Sequence, residues 1–167
     1  MRWFRWMLPI LVATVAIAIA PGLATAATSY TDSISGHEYA ATSSEGGFAG
    51  TAWGDLPGYW NATVDHTSLP NATITGGDFY LATYLNGTAT TVTGDFTAGT
   101  VKQVSGFTGC VNQQYAVEGY LGSVGVGSTG TGTGTFSGTL RHYRTKIFGH
   151  CVTYAASITG SFTVAPS

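Results

Sequence analysis

The sequence predicts an all-β fold, a small antiparallel up-and-down β-barrel of about eight strands. Beyond residue 26 the chain is rich in Thr, Gly, Ser, Tyr and Val and poor in Leu, Lys and Glu. This composition disfavours helices and favours strands joined by tight turns. Apolar and polar residues alternate from Val152 to Val164, which is the period of a strand with one buried face and one solvated face.

Short links between successive strands favour closure into a barrel, because a meander of strands must hide its edges. A two-sheet β-sandwich is the alternative, and it requires at least one long connection. Asn86-Gly87 predicts a type I′ hairpin turn. Gly76-Gly77 predicts a turn or bulge, and Ala98-Gly99 predicts a turn.

The N-terminus has the pattern of a cleaved signal peptide, which we assign to residues 1–26. Arg2 and Arg5 precede an apolar run over residues 7–20, and small residues follow at Ala24-Thr25-Ala26. We therefore expect a secreted protein, extracellular or periplasmic. No second long apolar run follows, so no stable membrane span is expected after signal cleavage.

The remaining chain divides into a lead-in and one domain. Residues 27–45 carry few apolar side chains and form either a disordered lead-in or a first short strand. Residues 46–167 are predicted to form a single β-barrel domain. Once Arg2 and Arg5 are removed, four Lys and Arg face eight Asp and Glu, a formal charge of −4. That charge argues against a nucleic-acid partner, which would require a broad basic face.

The two cysteines, Cys110 and Cys151, are predicted to form a structural disulfide. A single cysteine pair in an exported chain most simply cross-links the fold. A redox-active pair would favour the close CxxC spacing, which is absent.

The last hairpin, from Gly130 to Val164, has a register that the sequence constrains. A three-residue loop at Phe148-Gly149-His150 pairs Phe136 with Phe162, Gly138 with Gly160 and Leu140 with Ile158. A two-residue turn in an otherwise regular hairpin would place Phe136 on the polar face, so we predict the three-residue loop. A β-bulge near His142 is the alternative, and it would place Arg144 and Lys146 in solvent.

The predicted register also suggests a site. It places His142, Arg144 and Lys146 on the apolar face beside Tyr154. A buried Arg requires an acid or a ligand anion, and the candidate acids are Glu38, Glu118 and Asp65. We therefore name His142, Arg144 and Tyr154 as candidate ligand-binding residues. The competing interpretation is that these basic side chains are solvated or only structural.

No nucleophile elbow, HExxH sequence, Walker loop or dinucleotide glycine motif occurs, so no catalytic residue, metal site or cofactor is predicted. Gly58-Tyr59-Trp60-Asn61 resembles the first strand of avidin-like barrels over these four residues only, and no ligand-binding residue is transferred from it.

The expected function is a non-enzymatic binding or structural module whose candidate partner is a small apolar or anionic ligand. One alternative is a barrel-type cyclase or isomerase, which would require a deep pocket with a buried acid or histidine. A second alternative is an outer-membrane β-barrel, whose strands also alternate.

Overall fold

The computed structural model describes residues 28–167, which form one closed β-barrel of eight antiparallel strands. Each strand pairs with its neighbours in sequence, and the last strand pairs with the first. The predicted up-and-down barrel is therefore confirmed, and the two-sheet sandwich is wrong. The strands are β1 (Tyr30–Ala41), β2 (Glu45–Gly54), β3 (Gly58–His66), β4 (Asn71–Leu85), β5 (Thr88–Ser105), β6 (Gln113–Val126), β7 (Gly132–Ile147) and β8 (His150–Ala165).

The predicted signal peptide, residues 1–26, lies outside the described residues. Within residues 27–45, the structure has a strand, β1, which is longer than the short strand considered from the sequence. β1 closes the barrel through its pairing with β8. Across residues 28–167 there is no helix long and apolar enough to cross a membrane.

Two predicted interruptions are bulges within continuous strands. β4 gains an extra residue beside Gly76, where its pairing with β3 shifts, and Gly77 has a φ of 122°. β5 has a register shift between Phe96 and Ala98, so the predicted turn at Ala98-Gly99 is wrong. The Asn86-Gly87 turn is confirmed, with φ angles of 50° and 77° and Leu85 paired with Thr88.

The barrel has two different ends. The end that carries both chain termini of the barrel, here called the closed end, has its strand connections at residues 55–57, 86–87 and 127–131. The opposite end, here called the disulfide end, has connections at residues 42–44, 67–70, 106–112 and 148–149. Cys110, in the connection at residues 106–112, forms a disulfide with Cys151, the second residue of β8, and their Cα atoms are 5.5 Å apart. The predicted cysteine pairing is confirmed.

The closed end is filled by apolar side chains and one buried acid. Leu56 is fully buried in the connection between β2 and β3. Its N–H donates to Asp32 Oδ1 at 2.8 Å, and the Thr31 N–H donates to Asp55 Oδ2 at 2.8 Å. These bonds hold the connection over the barrel interior. Phe162, Leu81, Val92, Val124 and Val164 are also fully buried or nearly so.

The β7–β8 hairpin combines a two-residue turn with a β-bulge. Phe136 pairs with Phe162 and Leu140 with Ile158, as predicted. The predicted three-residue loop is wrong, because Ile147 pairs with His150 across Phe148-Gly149. Between Tyr143 and Arg144 the register shifts, because β8 has one extra residue there. This bulge allows the two-residue turn and the predicted pairing of Phe136 with Phe162 to occur in the same hairpin.

Candidate functional site

A cavity of about 50 Å³ lies inside the half of the barrel nearest the disulfide end. Most of its lining is apolar, and the polar side chains on it are Glu38, His66 and His142. The apolar lining comes from Phe48, Trp60, Ala62, Val64, Leu69, Ile74, Phe96, Val101, Val117, Phe136, Leu140 and Ile158. A cavity with this lining favours an apolar group over water, while its polar edge can orient a head group.

The strand pattern explains why these side chains meet. On β1, Ile34, Gly36 and Glu38 alternate with outward residues, so Glu38 continues the inward row towards the disulfide end. Gly36 lacks a Cβ, which would lie 2.7 Å from Trp60 Cζ2. This leaves room for the Trp60 indole, whose Nε1–H donates to the Thr51 carbonyl oxygen at 3.1 Å.

Glu38 and His142 form the central polar pair of the site. Glu38 Oε2 lies 3.6 Å from His142 Nε2, and each side chain is 12% exposed. Burial raises the pKa of Glu38, and the nearby His66 partly offsets this effect. Burial, together with the charge of Arg144, lowers the pKa of His142. Both shifts favour the neutral forms, as expected for ionisable groups in a poorly solvated barrel end.

His66 and Tyr115 border this pair. His66 Nδ1 lies 2.7 Å from the Thr67 carbonyl oxygen; since a carbonyl only accepts, Nδ1 carries the hydrogen and donates it. The Tyr115 ring is 2% exposed and lies 5.1 Å from the His142 ring, centroid to centroid. Its hydroxyl donates to Gln113 Oε1 at 3.0 Å. Burial raises the pKa of Tyr115, with opposing effects from Arg144 and Glu38.

Arg144 is half-buried at the rim of the same cluster. Its backbone N–H donates to Asn112 Oδ1 at 3.0 Å, which fixes β7 to the β5–β6 connection. Its Nε and His142 Nε2 are buried atoms without a hydrogen-bond partner in the described part of the chain. Because unpaired buried polar atoms carry a free-energy cost, these two atoms are well suited to meet a ligand's polar group.

Tyr154 lies elsewhere. It is the extra residue of β8 at the bulge and is 64% exposed on the outer surface. Its ring packs 6.4 Å from the ring of Tyr143, centroid to centroid. The predicted interior placement of Tyr154 is therefore wrong, as is that of Lys146, which is exposed. His142 and Arg144 remain together, but the bulge removes Tyr154 from their face.

The three candidate acids also separate. Glu38 lies inside, next to His142. Glu118 is exposed, and Asp65 is half-buried opposite Gly76. Parity along β1 would have identified Glu38, had that strand been assigned over its full length. His66 continues the inward row of Trp60, Ala62 and Val64 on β3, so alternation along that strand would have identified it too.

Chemically, the site is an apolar cavity with a carboxyl group and an imidazole at its edge, and the pKa shifts of both groups favour their neutral forms. Such groups can hold a polar head group by hydrogen bonds or exchange a proton with it. Among residues 28–167, no three His, Cys, Asp or Glu side chains are grouped so as to hold a metal ion.

Comparisons with known proteins identified no relative from which a role for this site could be transferred. The chain matches no family model, no curated protein and no solved structure.

Proposed function

We propose that this barrel binds a small molecule with an apolar part and a polar, carboxylate-type head group. The single observation that carries the proposal is the apolar cavity with Glu38 and His142 at its edge. The apolar part would occupy the cavity, and the head group would face the unpaired atoms of His142 and Arg144. Arginine recognises carboxylates through charge-assisted hydrogen bonds.

The cavity volume limits the ligand. A cavity of about 150 Å³ holds benzene, whereas this one measures about 50 Å³. The ligand part that enters is therefore an alkyl group of a few carbons, in the absence of side-chain movement. Short-chain carboxylates such as butanoate have suitable dimensions and charge.

The test compares ligands and variants by isothermal titration calorimetry. Wild-type protein should bind butanoate more tightly than butanol, and Arg144→Gln should remove this preference. Ala62→Leu fills the cavity and should abolish binding of both ligands while unfolding remains cooperative. Tyr154→Phe, on the outer surface, is the matched control and should bind like the wild type.

Two results would contradict the proposal. One is the absence of binding to any short-chain ligand by the wild type. The other is equal binding by wild-type protein and a folded Ala62→Leu variant, which would locate the ligand outside the cavity.

An acid–base enzyme is a second candidate, favoured by the Glu38–His142 pair. Perturbed pKa values in neighbouring groups beside a cavity are typical of functional sites. The Glu38 carboxylate could remove a proton from the carbon next to a carbonyl, and that carbon would then take up a proton from solvent. Exchange of butanone protons for deuterium, followed by NMR, should then be faster with wild-type protein than with Glu38→Gln. Equal exchange rates would contradict the enzyme candidate and leave ligand binding as the proposed function.

The outer-membrane alternative fits the side-chain distribution poorly. Transmembrane barrels carry an apolar band outside and polar groups inside. In this barrel, the apolar side chains of alternate positions fill the interior, and Thr and Ser side chains occupy much of the exterior.

A further inference from the structure

We propose that the disulfide end of the barrel docks on the surface of an anionic lipid bilayer. The contact would be made by four exposed apolar residues, here called the apolar tip: Phe107, Val111, Ile147 and Phe148. This inference does not depend on the proposed ligand, because it concerns the outside of the barrel.

Phe148 is the strongest observation. It is 99% exposed and occupies the first position of a two-residue turn, with a φ of 48°. A bulky side chain is disfavoured in this left-handed conformation, which suits Asn, Asp or Gly. The β4–β5 hairpin has the preferred pair at an equivalent turn, where Asn86 has a φ of 50°. Neither packing nor turn geometry therefore accounts for a phenylalanine at residue 148.

The disulfide joins Phe148 to the other apolar residues. Cys151 follows the β7–β8 turn, and Cys110 lies in the β5–β6 connection between Phe107 and Val111. The hydrogen bond from the Arg144 N–H to Asn112 Oδ1 fixes the same two segments together. The apolar residues thus project from two connections that are covalently held side by side.

The basic residues lie in the same half of the barrel. In residues 28–167, every Lys and Arg is on β5 or β7 towards the disulfide end: Lys102, Arg141, Arg144 and Lys146. Three acids also lie at this end: Glu38 inside the barrel, and Glu45 and Asp65 on β2 and β3. The basic residues, in contrast, lie on β5 and β7, the two strands that lead into the apolar tip, although the chain as a whole is acidic.

This combination favours a bilayer over a protein partner. Lysine is depleted from protein interfaces, whereas exposed aromatic residues with Lys or Arg around them are typical of attachment to anionic membrane surfaces. In addition, three of the four apolar residues lie in strand connections, and the fourth, Ile147, is the last residue of β7.

The test uses phosphatidylglycerol–phosphatidylcholine vesicles and pure phosphatidylcholine vesicles in a sedimentation assay. Wild-type protein should bind the anionic vesicles, less so at high salt, and should bind the neutral vesicles weakly. Phe148→Asn restores the preferred turn residue, so its thermal unfolding midpoint should equal or exceed that of the wild type. Its vesicle binding should fall by about tenfold or more, and that of Lys146→Gln by about fivefold.

A matched control moves the phenylalanine to the other end. The double variant Phe148→Asn/Asn86→Phe has the same composition as the wild type, but its exposed Phe lies far from the basic residues, so vesicle binding should not return. Ala62→Leu should bind vesicles normally, which separates this proposal from the cavity proposal.

Three results would overturn the proposal. The first is wild-type binding no stronger to anionic than to neutral vesicles. The second is undiminished binding by Phe148→Asn. The third is self-association of the wild type that is lost in Phe148→Asn without any vesicle binding, since this would make the apolar tip a contact between copies of the chain.

Discussion

At the scale of single residues, the ionisable groups in the barrel interior couple the stability of the fold to pH. Glu38 has a raised pKa and His142 a lowered one, each mainly because of burial. A group whose pKa differs between the folded and unfolded states makes the free energy of unfolding depend on pH. Burial of Glu38 lowers the free energy of unfolding as the pH rises, whereas burial of His142 lowers it as the pH falls.

For Glu38, protonation stabilises the folded state. This contribution is fully present below the ordinary pKa of 4.5 and is lost as pH rises through the raised pKa. Glu38→Gln cannot lose a proton, so its stability relative to wild type should increase as pH rises above 4.5. Urea unfolding over a pH series measures this difference. A constant difference across the series would contradict the assignment.

For His142, the neutral imidazole is the stable form. Its contribution is present above the ordinary pKa of 6.5 and is lost as pH falls towards the lowered pKa. His142→Gln should therefore gain stability relative to wild type as the solution is acidified below pH 6.5. The same urea series tests it, and a stability difference that stays constant as the pH falls below 6.5 would contradict the assignment.

The two carboxylate oxygens of Asp32, at the closed end, are in different environments. Its Oδ1 accepts the Leu56 N–H, whereas Oδ2 is buried without a partner in the described residues. Burial raises the pKa of Asp32; the Leu56 hydrogen bond opposes this shift and the charge of Asp55 adds to it. Asp32→Asn retains an acceptor and removes the charge, so it should be more stable than wild type above pH 3.8 and lose that advantage in acid. Asp32→Ala should cost about 1–3 kcal/mol, because it leaves the Leu56 N–H unpaired.

At the scale of elements, the β7–β8 hairpin shows what periodicity can and cannot predict. The alternation of β8 identified the pairing of Phe136 with Phe162, because a one-residue slip reverses every side chain. The same argument cannot distinguish a longer loop from a bulge beside a shorter turn, since both add one residue. The sequence gives no signal for the two-residue turn. Its first residue is Phe148 in the left-handed conformation, a position where two-residue hairpin turns usually have Asn or Gly.

β1 illustrates a different limit of the sequence. Its residues from Tyr30 to Ala41 include few large apolar side chains, so periodicity gave a weak signal. Its position is set instead by pairing with β8, a contact between opposite ends of the chain. Alternation along β1 is consistent with an inward Glu38, but its contact with His142 of β7 depends on the barrel closing through β8, which no single strand specifies.

The disulfide should stabilise the disulfide end through the loop that it closes. Cys110 and Cys151 are 41 residues apart, for which the chain-entropy estimate is roughly 3–4 kcal/mol. Replacing both by Ser should lower the free energy of unfolding by roughly that amount. Urea unfolding measures it. A loss well below 1 kcal/mol would show that the unfolded chain gains little freedom when the cross-link is removed.

At the scale of the whole molecule, the barrel is unequal along its axis. The closed end is packed, with Leu56 held by Asp32 across the interior. The disulfide end combines the cavity, the Glu38–His142 pair, the basic residues and the apolar tip. The composition and alternation of the sequence predicted a barrel, but closure brings together side chains from all eight strands. Whether its interior is filled or hollow depends on their combined volume, which no single stretch of sequence specifies.

Binding of a ligand in the cavity at the disulfide end can be followed residue by residue in methyl NMR spectra recorded during a butanoate titration. Saturable shifts are expected at Ile74, Val101, Leu140 and Ile158, which line the cavity, with unchanged signals from Leu81, Val92 and Val164 in the packed half. Unchanged cavity methyl signals at saturating butanoate, or shifts confined to the packed half, would rule out binding in the cavity.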